Sequence, residues 1–141
     1  MTTKWLQVKR AFQVDVTAAL IVKKGKVLLA RRRPGIAHAG AWEFPGGKPL
    51  PDETTEDAIV REIREELGIV CRVVGFVGEG RGQNGEKPIR LLGFEMTWES
   101  GEIVPSDHDL IHWVAPENLL DYTLLPPDIP IAKTFIAKHS L

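Results

Sequence analysis

Cysteine is nearly missing from this chain: its 141 residues include one, Cys71. That excludes an intrachain disulfide framework and leaves a buried structural thiol as the expected state. No apolar stretch approaches the roughly 18 residues that a membrane-spanning helix needs, so no membrane span is expected. The opening MTTKWLQVKR lacks the apolar core of a secretory signal, and the expected setting is cytoplasmic. An excess of one charge is missing too. Eighteen basic residues face 19 acidic ones, for a net charge of −1. Without a general basic footprint, no nucleic acid polymer is expected as partner. The composition is 43% hydrophobic and 26% charged, without repeats or linkers, which argues against disorder. The length suits a single domain spanning residues 1–141 with a proper core.

What is present is concentrated in GKPLPDETTEDAIVREIREELGI, residues 47 to 69. Gly47 is followed by Glu53, then by Arg61-Glu62-Ile63-Arg64-Glu65-Glu66-Leu67-Gly68-Ile69. At about 100° per residue, Ile59, Ile63 and Leu67 fall at roughly 0°, 40° and 80° and form a buried stripe. Glu62, Glu65 and Glu66 fall at roughly 300°, 240° and 340°, one acidic arc bordering that stripe. Glu62 and Glu66 are an i,i+4 like-charge pair, which costs a few tenths of a kcal/mol on an exposed helix. A bound cation would relieve that repulsion. Hard ions such as Mg²⁺ take oxygen ligands, often one or two carboxylates plus water and phosphate.

The plain alternative is a solvated helix face laced with ion pairs. The fixed spacing of Gly47, Glu53 and Gly68 around the acids weighs against it. Local signals agree with a helix: Thr54 or Thr55 can cap its start, Asp57 suits the first turn, and Gly68 suits a left-handed C-terminal cap.

The segment follows the pattern G-x5-E-x7-R-E-U-x-E-E-x-G-U, with U a bulky aliphatic residue, and so resembles the Nudix box at every defined position. The likeness extends to Leu28-Leu29-Ala30-Arg31-Arg32, to AGAWEFPGGK at 39–48 and to LPPDIPI at 125–131. Together these resemble MutT-type members over about residues 14 to 138. The resemblance implies an α/β fold with a mixed β-sheet sandwiched between α-helices.

The chain reads coarsely in the same way. Ala11 to Val22 and Val27 to Ala30 form a hairpin across Lys24-Gly25. Residues 31 to 41 are a basic loop, and Trp42 to Phe44 is a short strand closed by Pro45-Gly46-Gly47. Thr55 to Leu67 is a helix. Ile69 to Val77 and Ile89 to Trp98 are strands, with a glycine-rich loop or hairpin tip from Gly78 to Gly85. His112 to Val114 is a short strand, Pro116 to Leu120 a helical turn, and Pro130 to His139 a C-terminal helix.

By resemblance, Glu62, Glu65 and Glu66, with the backbone carbonyl of Gly46, are the metal ligands. Arg61 holds acidic side chains in place and Glu53 supports the loop–helix geometry. Asp107 stands six residues before Trp113, an offset at which MutT-type proteins often carry an acid near the metals; the alternative is a turn-forming Asp. Arg32 stands at the offset of a nucleotide-contacting arginine. Phe44 is either a base-packing ring or a core phenylalanine. Asp128 matches a base-reading position, where Asn offers donor and acceptor while ionised Asp only accepts. The alternative there is a turn cap. His38, His108, His112 and His139 lack metal-ligand spacing and read as structural or surface residues.

The resulting expectation is Mg²⁺-dependent hydrolysis, with Mn²⁺ able to substitute, of a nucleoside triphosphate to nucleoside monophosphate and pyrophosphate. Two substrates compete: oxidised purine nucleotides such as 8-oxo-dGTP, and CTP or modified pyrimidine triphosphates. Other nucleoside diphosphate-X substrates and a non-catalytic nucleotide sensor are the remaining alternatives; the intact box acids oppose the sensor. A monomer and a homodimer are equally compatible with the sequence.

Overall fold

The computed structural model describes residues 13–84 and 86–139. The expectations for the opening decapeptide, for the hairpin's first residues Ala11 and Phe12, and for Gly85 lie outside them. Among the described residues, seven strands form one mixed sheet: β1 Val14–Lys23, β2 Lys26–Arg32, β3 Trp42–Glu43, β4 Gly46–Gly47, β5 Val70–Asn84, β6 Lys87–Ser100 and β7 His108–Val114. Helix α1 is Thr55–Leu67 and helix α2 is Asp128–His139, with a 3-10 helix at Pro116–Asp121.

β1 and β2 pair antiparallel only beside their turn, at Val22↔Val27 and Lys23↔Lys26. Beyond it they splay apart, and the short β3 and β4 are wedged between them. β3 pairs β2 at Ala30↔Glu43, and β4 pairs β1 at Ala18↔Gly46. β7 lies antiparallel along the other edge of β2, β6 runs parallel to β1, and β5 runs antiparallel to β6. The wedge therefore brings the WEFPGG run into the middle of the sheet rather than onto a surface loop.

Alternation along β1 and β2 divides the core into two layers. Ala18, Leu20, Val27 and Leu29 face α2, packing with Ile131 and Phe135. Ala19, Ile21, Leu28 and Ala30 face α1, packing with Ile59, Ile63 and Leu67. Covering on both faces explains why these strands read as continuous apolar runs. The sandwich expected from the sequence is present.

One expectation is overturned. Gly78 to Asn84 is strand rather than a loop or hairpin tip: β5 continues through Asn84, pairing with β6 as far as Asn84↔Lys87. A β-carbon at Gly80 would collide with the backbone carbonyl of Pro127, and one at Gly82 with the Pro127 ring. These glycines let the Pro126-Pro127 turn lie directly on the strand. Helix α2 begins at Asp128, two residues earlier than its sequence pattern shows. β6 and β7 likewise run longer than expected. Cys71 is buried, and burial raises its thiol pKa to about 11, consistent with a structural thiol.

Candidate active site

Helix α1 forms as its sequence dictates. The Thr54 side chain accepts from the Asp57 N–H at 3.1 Å, and Gly68 closes the helix with φ 75° and its N–H on the Arg64 carbonyl. Its apolar stripe, Ile59, Ile63 and Leu67, is fully buried. That docking fixes the acidic arc against the sheet, beside the β4 glycines.

Arg61 organises the arc's outer part. Its Nε and Nη2 donate to the two oxygens of Glu53, each at 2.9 Å. Nη1 donates to Glu62 and to Glu65, each at 3.0 Å, and Nη2 also reaches the Lys48 carbonyl. Glu53 additionally accepts the Leu50 N–H at 2.9 Å. Bonding to the guanidinium first, and then to Leu50, holds the Glu53 carboxyl below its ordinary pKa. Arg61 is thus a clamp joining the glycine loop to the helix, rather than a single surface i,i+4 pair.

Glu66 is different. Burial pushes its pKa up to about 8, and the charges of Glu43, Glu62 and Asp107 push the same way against a backbone hydrogen bond from Gly46. Its Oε2 is buried without a hydrogen-bond partner. Asp107 is brought to this spot by the preceding turn: the Ser106 N–H and hydroxyl both donate to the Glu66 carbonyl, and the Val104 N–H to that of Leu67. An unpartnered carboxylate oxygen among other carboxylates fits a hard divalent cation. Among the described residues no three His, Cys, Asp or Glu side chains already converge as a cation cage. The Arg61 clamp explains this, because it draws Glu62 and Glu65 toward itself.

The glycines make this proximity possible. A β-carbon at Gly47 would run into the Glu62 carboxyl, and one at Gly46 into the Thr17 backbone. Past them opens a cleft of about 460 Å³, walled by Ile89, Leu125, Pro126 and Pro127, with Arg32, His38 and Lys48 on its polar side. A smaller niche of about 110 Å³ shares several of these walls and contains Glu43, Phe44 and Asp128. Asp128 is 3% exposed, and its Oδ2 accepts the Phe44 N–H at 2.9 Å. Burial raises its pKa to about 8, with Glu43 adding to the rise and the Phe44 N–H and Arg32 opposing it.

The residues singled out from the sequence divide between these regions: Gly46, Phe44 and Asp128 line the niche and Arg32 the cleft, while Glu62 of the acidic arc abuts the cleft's Gly47. Glu53, Arg61, Glu62 and Glu65 meet by direct bonds, while Glu66 and Asp107 meet by charge. Gly46 lies at the junction. Arg32 lines the cleft but is also engaged, donating from Nη1 to Glu43 at 3.0 Å and from Nε to the Ala37 carbonyl. The Phe44 ring sits in the α2-facing core, and its backbone holds Asp128. Sequence reasoning missed Glu43, His38, Lys48 and Gln83, which line the niche or cleft. For Glu43 and Lys48 a signal existed, since they flank the Gly46-Gly47 pair.

Residues 11–138 match the NUDIX domain family. The chain is 40% identical over 124 residues to the CTP pyrophosphohydrolase of Escherichia coli K12, covering 88% of this chain and 92% of that protein. It is 34% identical over 116 residues to the protein named "Putative 8-oxo-dGTP diphosphatase 2" of Mycobacterium tuberculosis H37Rv, covering 80% and 81%. Among solved structures, the MutT protein of Methanosarcina mazei Go1 superposes with a TM-score of 0.81 at 28% identity, covering 92% of this chain and 96% of that one. The E. coli ORF135 protein gives a TM-score of 0.79 at 37% identity, covering 91% and 92%. With the box acids gathered beside the glycine loop and the family matched along nearly the whole chain, the protein belongs to the Nudix family and is a Nudix hydrolase of the MutT type.

Proposed function

We propose that the protein, acting as a single domain in the cytoplasm, hydrolyses a pyrimidine nucleoside triphosphate, CTP or a modified relative, to the monophosphate and pyrophosphate. The observation that carries this reading is the unpartnered, buried Glu66 oxygen among carboxylates, on the helix whose Glu62 abuts Gly47 in the wall of a nucleotide-sized cleft. Nudix hydrolases use a divalent metal, and the all-oxygen donor set favours Mg²⁺, with Mn²⁺ able to substitute. Glu62, Glu65, Glu66 and the Gly46 carbonyl would hold it. When bound, it neutralises phosphate charge and lowers the pKa of a coordinated water.

The chain's own residues supply the rest. Glu53 and Arg61 fix the acidic arc against the glycine loop. Asp107 takes the proton of the attacking water as its oxygen bonds to phosphorus, and the bond between the α- and β-phosphoryl groups breaks. Arg32 meets the nucleotide on the cleft's polar side. The Phe44 backbone sets the Asp128 carboxyl, whose second oxygen reads the base.

Burial disfavours the ionised form of Asp128, and its neutral form suits the pyrimidine. With Oδ2 committed to the Phe44 N–H, the proton belongs on Oδ1, which then donates to a ring acceptor such as cytosine N3. An ionised Oδ1 would instead accept from a donor such as guanine N1–H. The 40% identical CTP pyrophosphohydrolase supports the same choice. The 8-oxo-dGTP reading stays as the second, supported by the 34% identical relative's name. The test is release of pyrophosphate from CTP, dCTP, 8-oxo-dGTP and dGTP with Mg²⁺. The cytidine nucleotides should give the highest kcat/KM; orthophosphate as first product, or no turnover on all four, would refute the proposal.

A further inference from the structure

The pairing of β2 with β7 slips by one residue: Arg31 faces Leu110, whereas Arg32 faces His108, leaving Asp109 as the extra residue of a bulge. Bulges re-aim side chains. Here Asp109 turns outward, where its oxygens accept from Arg31 at 2.8 and 2.7 Å. His108 turns inward, and its side chain is 0% exposed.

The His108 Nε2 lies 2.8 Å from Glu43 Oε2, the oxygen that also accepts from Arg32 Nη1 at 3.0 Å. The other ring nitrogen, Nδ1, is buried without a partner. A bare buried acceptor is tolerated more readily than a bare N–H. The proton therefore belongs on Nε2, donated to Glu43.

Glu43 occupies the junction of the site. It lines the niche with Asp128, and its charge reaches Asp128 on one side and Glu66 on the other. A free carboxylate there would swing toward either neighbour's partners. We propose that His108 is a positioning residue: its Nε2–H, together with Arg32, locks the Glu43 carboxylate at the boundary between the acidic helix face and the nucleoside cleft, so that Arg32 is presented to the nucleotide in one orientation. The proposal rests on the nucleotide hydrolase reading. It adds that substrate binding, rather than the chemical step, depends on the bulge at the start of β7.

The experiment compares His108→Leu, which removes the donor, with His108→Gln, whose amide N–H can replace it. With CTP and Mg²⁺, His108→Leu should raise KM roughly 10-fold or more while kcat stays within about threefold. His108→Gln should keep KM within about threefold of wild type. A merely structural histidine would lower the active fraction in both variants and leave KM unchanged. In a Glu43→Ala background, His108→Leu should leave KM where it already is. An unchanged KM in His108→Leu, or an equal KM rise with and without Glu43, would overturn the proposal.

Should His108→Leu not fold, the Gln variant and nitrogen-15 spectra of the wild-type imidazole decide. The spectra should show the proton on Nε2; a proton on Nδ1 alone would overturn the assignment. Because the spectra need no turnover, an enzyme inactive on CTP would fail the functional reading while the positioning remained decidable.

Discussion

Glu66 and Asp128 are two acids raised to the same pKa, about 8, by burial, yet they stand in opposite surroundings. Glu66 faces the carboxylates of Glu43, Glu62 and Asp107 and has an oxygen with no donor. Asp128 has the Phe44 N–H on one oxygen and feels Arg32 nearby. Burial alone thus does not reveal a role. Each accepts one backbone N–H, so the difference lies in the rest. Glu66, with a bare oxygen among three carboxylates, has the surroundings of an incomplete cation site, whereas Asp128, with Arg32 nearby, has those of a recognition group. The reaction side of the molecule should therefore depend on an added ion, and the nucleoside side on its own hydrogen bonds.

The contrast breaks most completely when the ion is withdrawn. Excess EDTA should abolish turnover, and added Mg²⁺ should restore it; full activity in chelator would mean that the acidic arc is structural. Removing the proposed ligand Glu66 should cost nearly as much. Glu66→Gln should lower kcat on the order of 10²-fold or more, by analogy with loss of a preorganised charge stabiliser. Near-normal kcat in that variant would take Glu66 out of the metal site.

The same variant should behave in the opposite way without metal. The folded-state pKa of Glu66 lies above its ordinary 4.5. The stability contributed by its neutral form is therefore complete below pH 4.5 and lost as pH rises through about 8. Thermal melts of the metal-free wild type should fall between pH 5 and 9, and Glu66→Gln should flatten part of that slope. Asp128, raised from 3.8, should supply the remainder.

On the nucleoside side, substitution should cost selectivity. Asp128→Ala leaves the acidic arc intact and removes the proposed base-reading group. For the preferred nucleotide, kcat/KM should fall roughly 10-fold or more, about 1.4 kcal/mol. The poorest nucleotide should change much less. Kinetics on CTP, dCTP, 8-oxo-dGTP and dGTP measure this; an equal loss on all four would make Asp128 a part of the fold rather than a reader of the base.

The two sides were also unequally legible in the sequence. Helix α1, its cap, its terminal glycine and its acidic arc are separated by a few residues, so helical geometry alone relates them. The Arg61 clamp, reaching Glu53 eight residues away, is near that limit. The nucleoside side joins Phe44 to Asp128 across 84 residues, and Glu43 to His108 across 65. No local period encodes such pairs. The glycines of β5 misled for a related reason: Gly80 and Gly82 look like turn residues until Pro127 is seen lying on them. His108 carried no signal, because the bulge that turns it inward exists only once β2 and β7 have paired.

The smallest expected effect separates folding from chemistry on the reaction side. Thr54 supplies the side-chain oxygen at the start of α1, accepting the Asp57 N–H at 3.1 Å. Replacing such a cap with alanine typically costs about 1 kcal/mol, which in a domain of this size lowers Tm by roughly 2–4 °C. Activity should change little, because the neighbouring Glu53 does not depend on the cap. Its carboxylate is held by the Leu50 N–H and by two nitrogens of Arg61. Thr54→Ala should therefore melt earlier yet keep kcat/KM within about threefold and its nucleotide preference unchanged. A fall in kcat matching that of Glu66→Gln would mean that the first turn of α1, and not the Arg61 clamp, sets the acidic arc, and the division between a locally encoded helix and a separately held site would have to be redrawn.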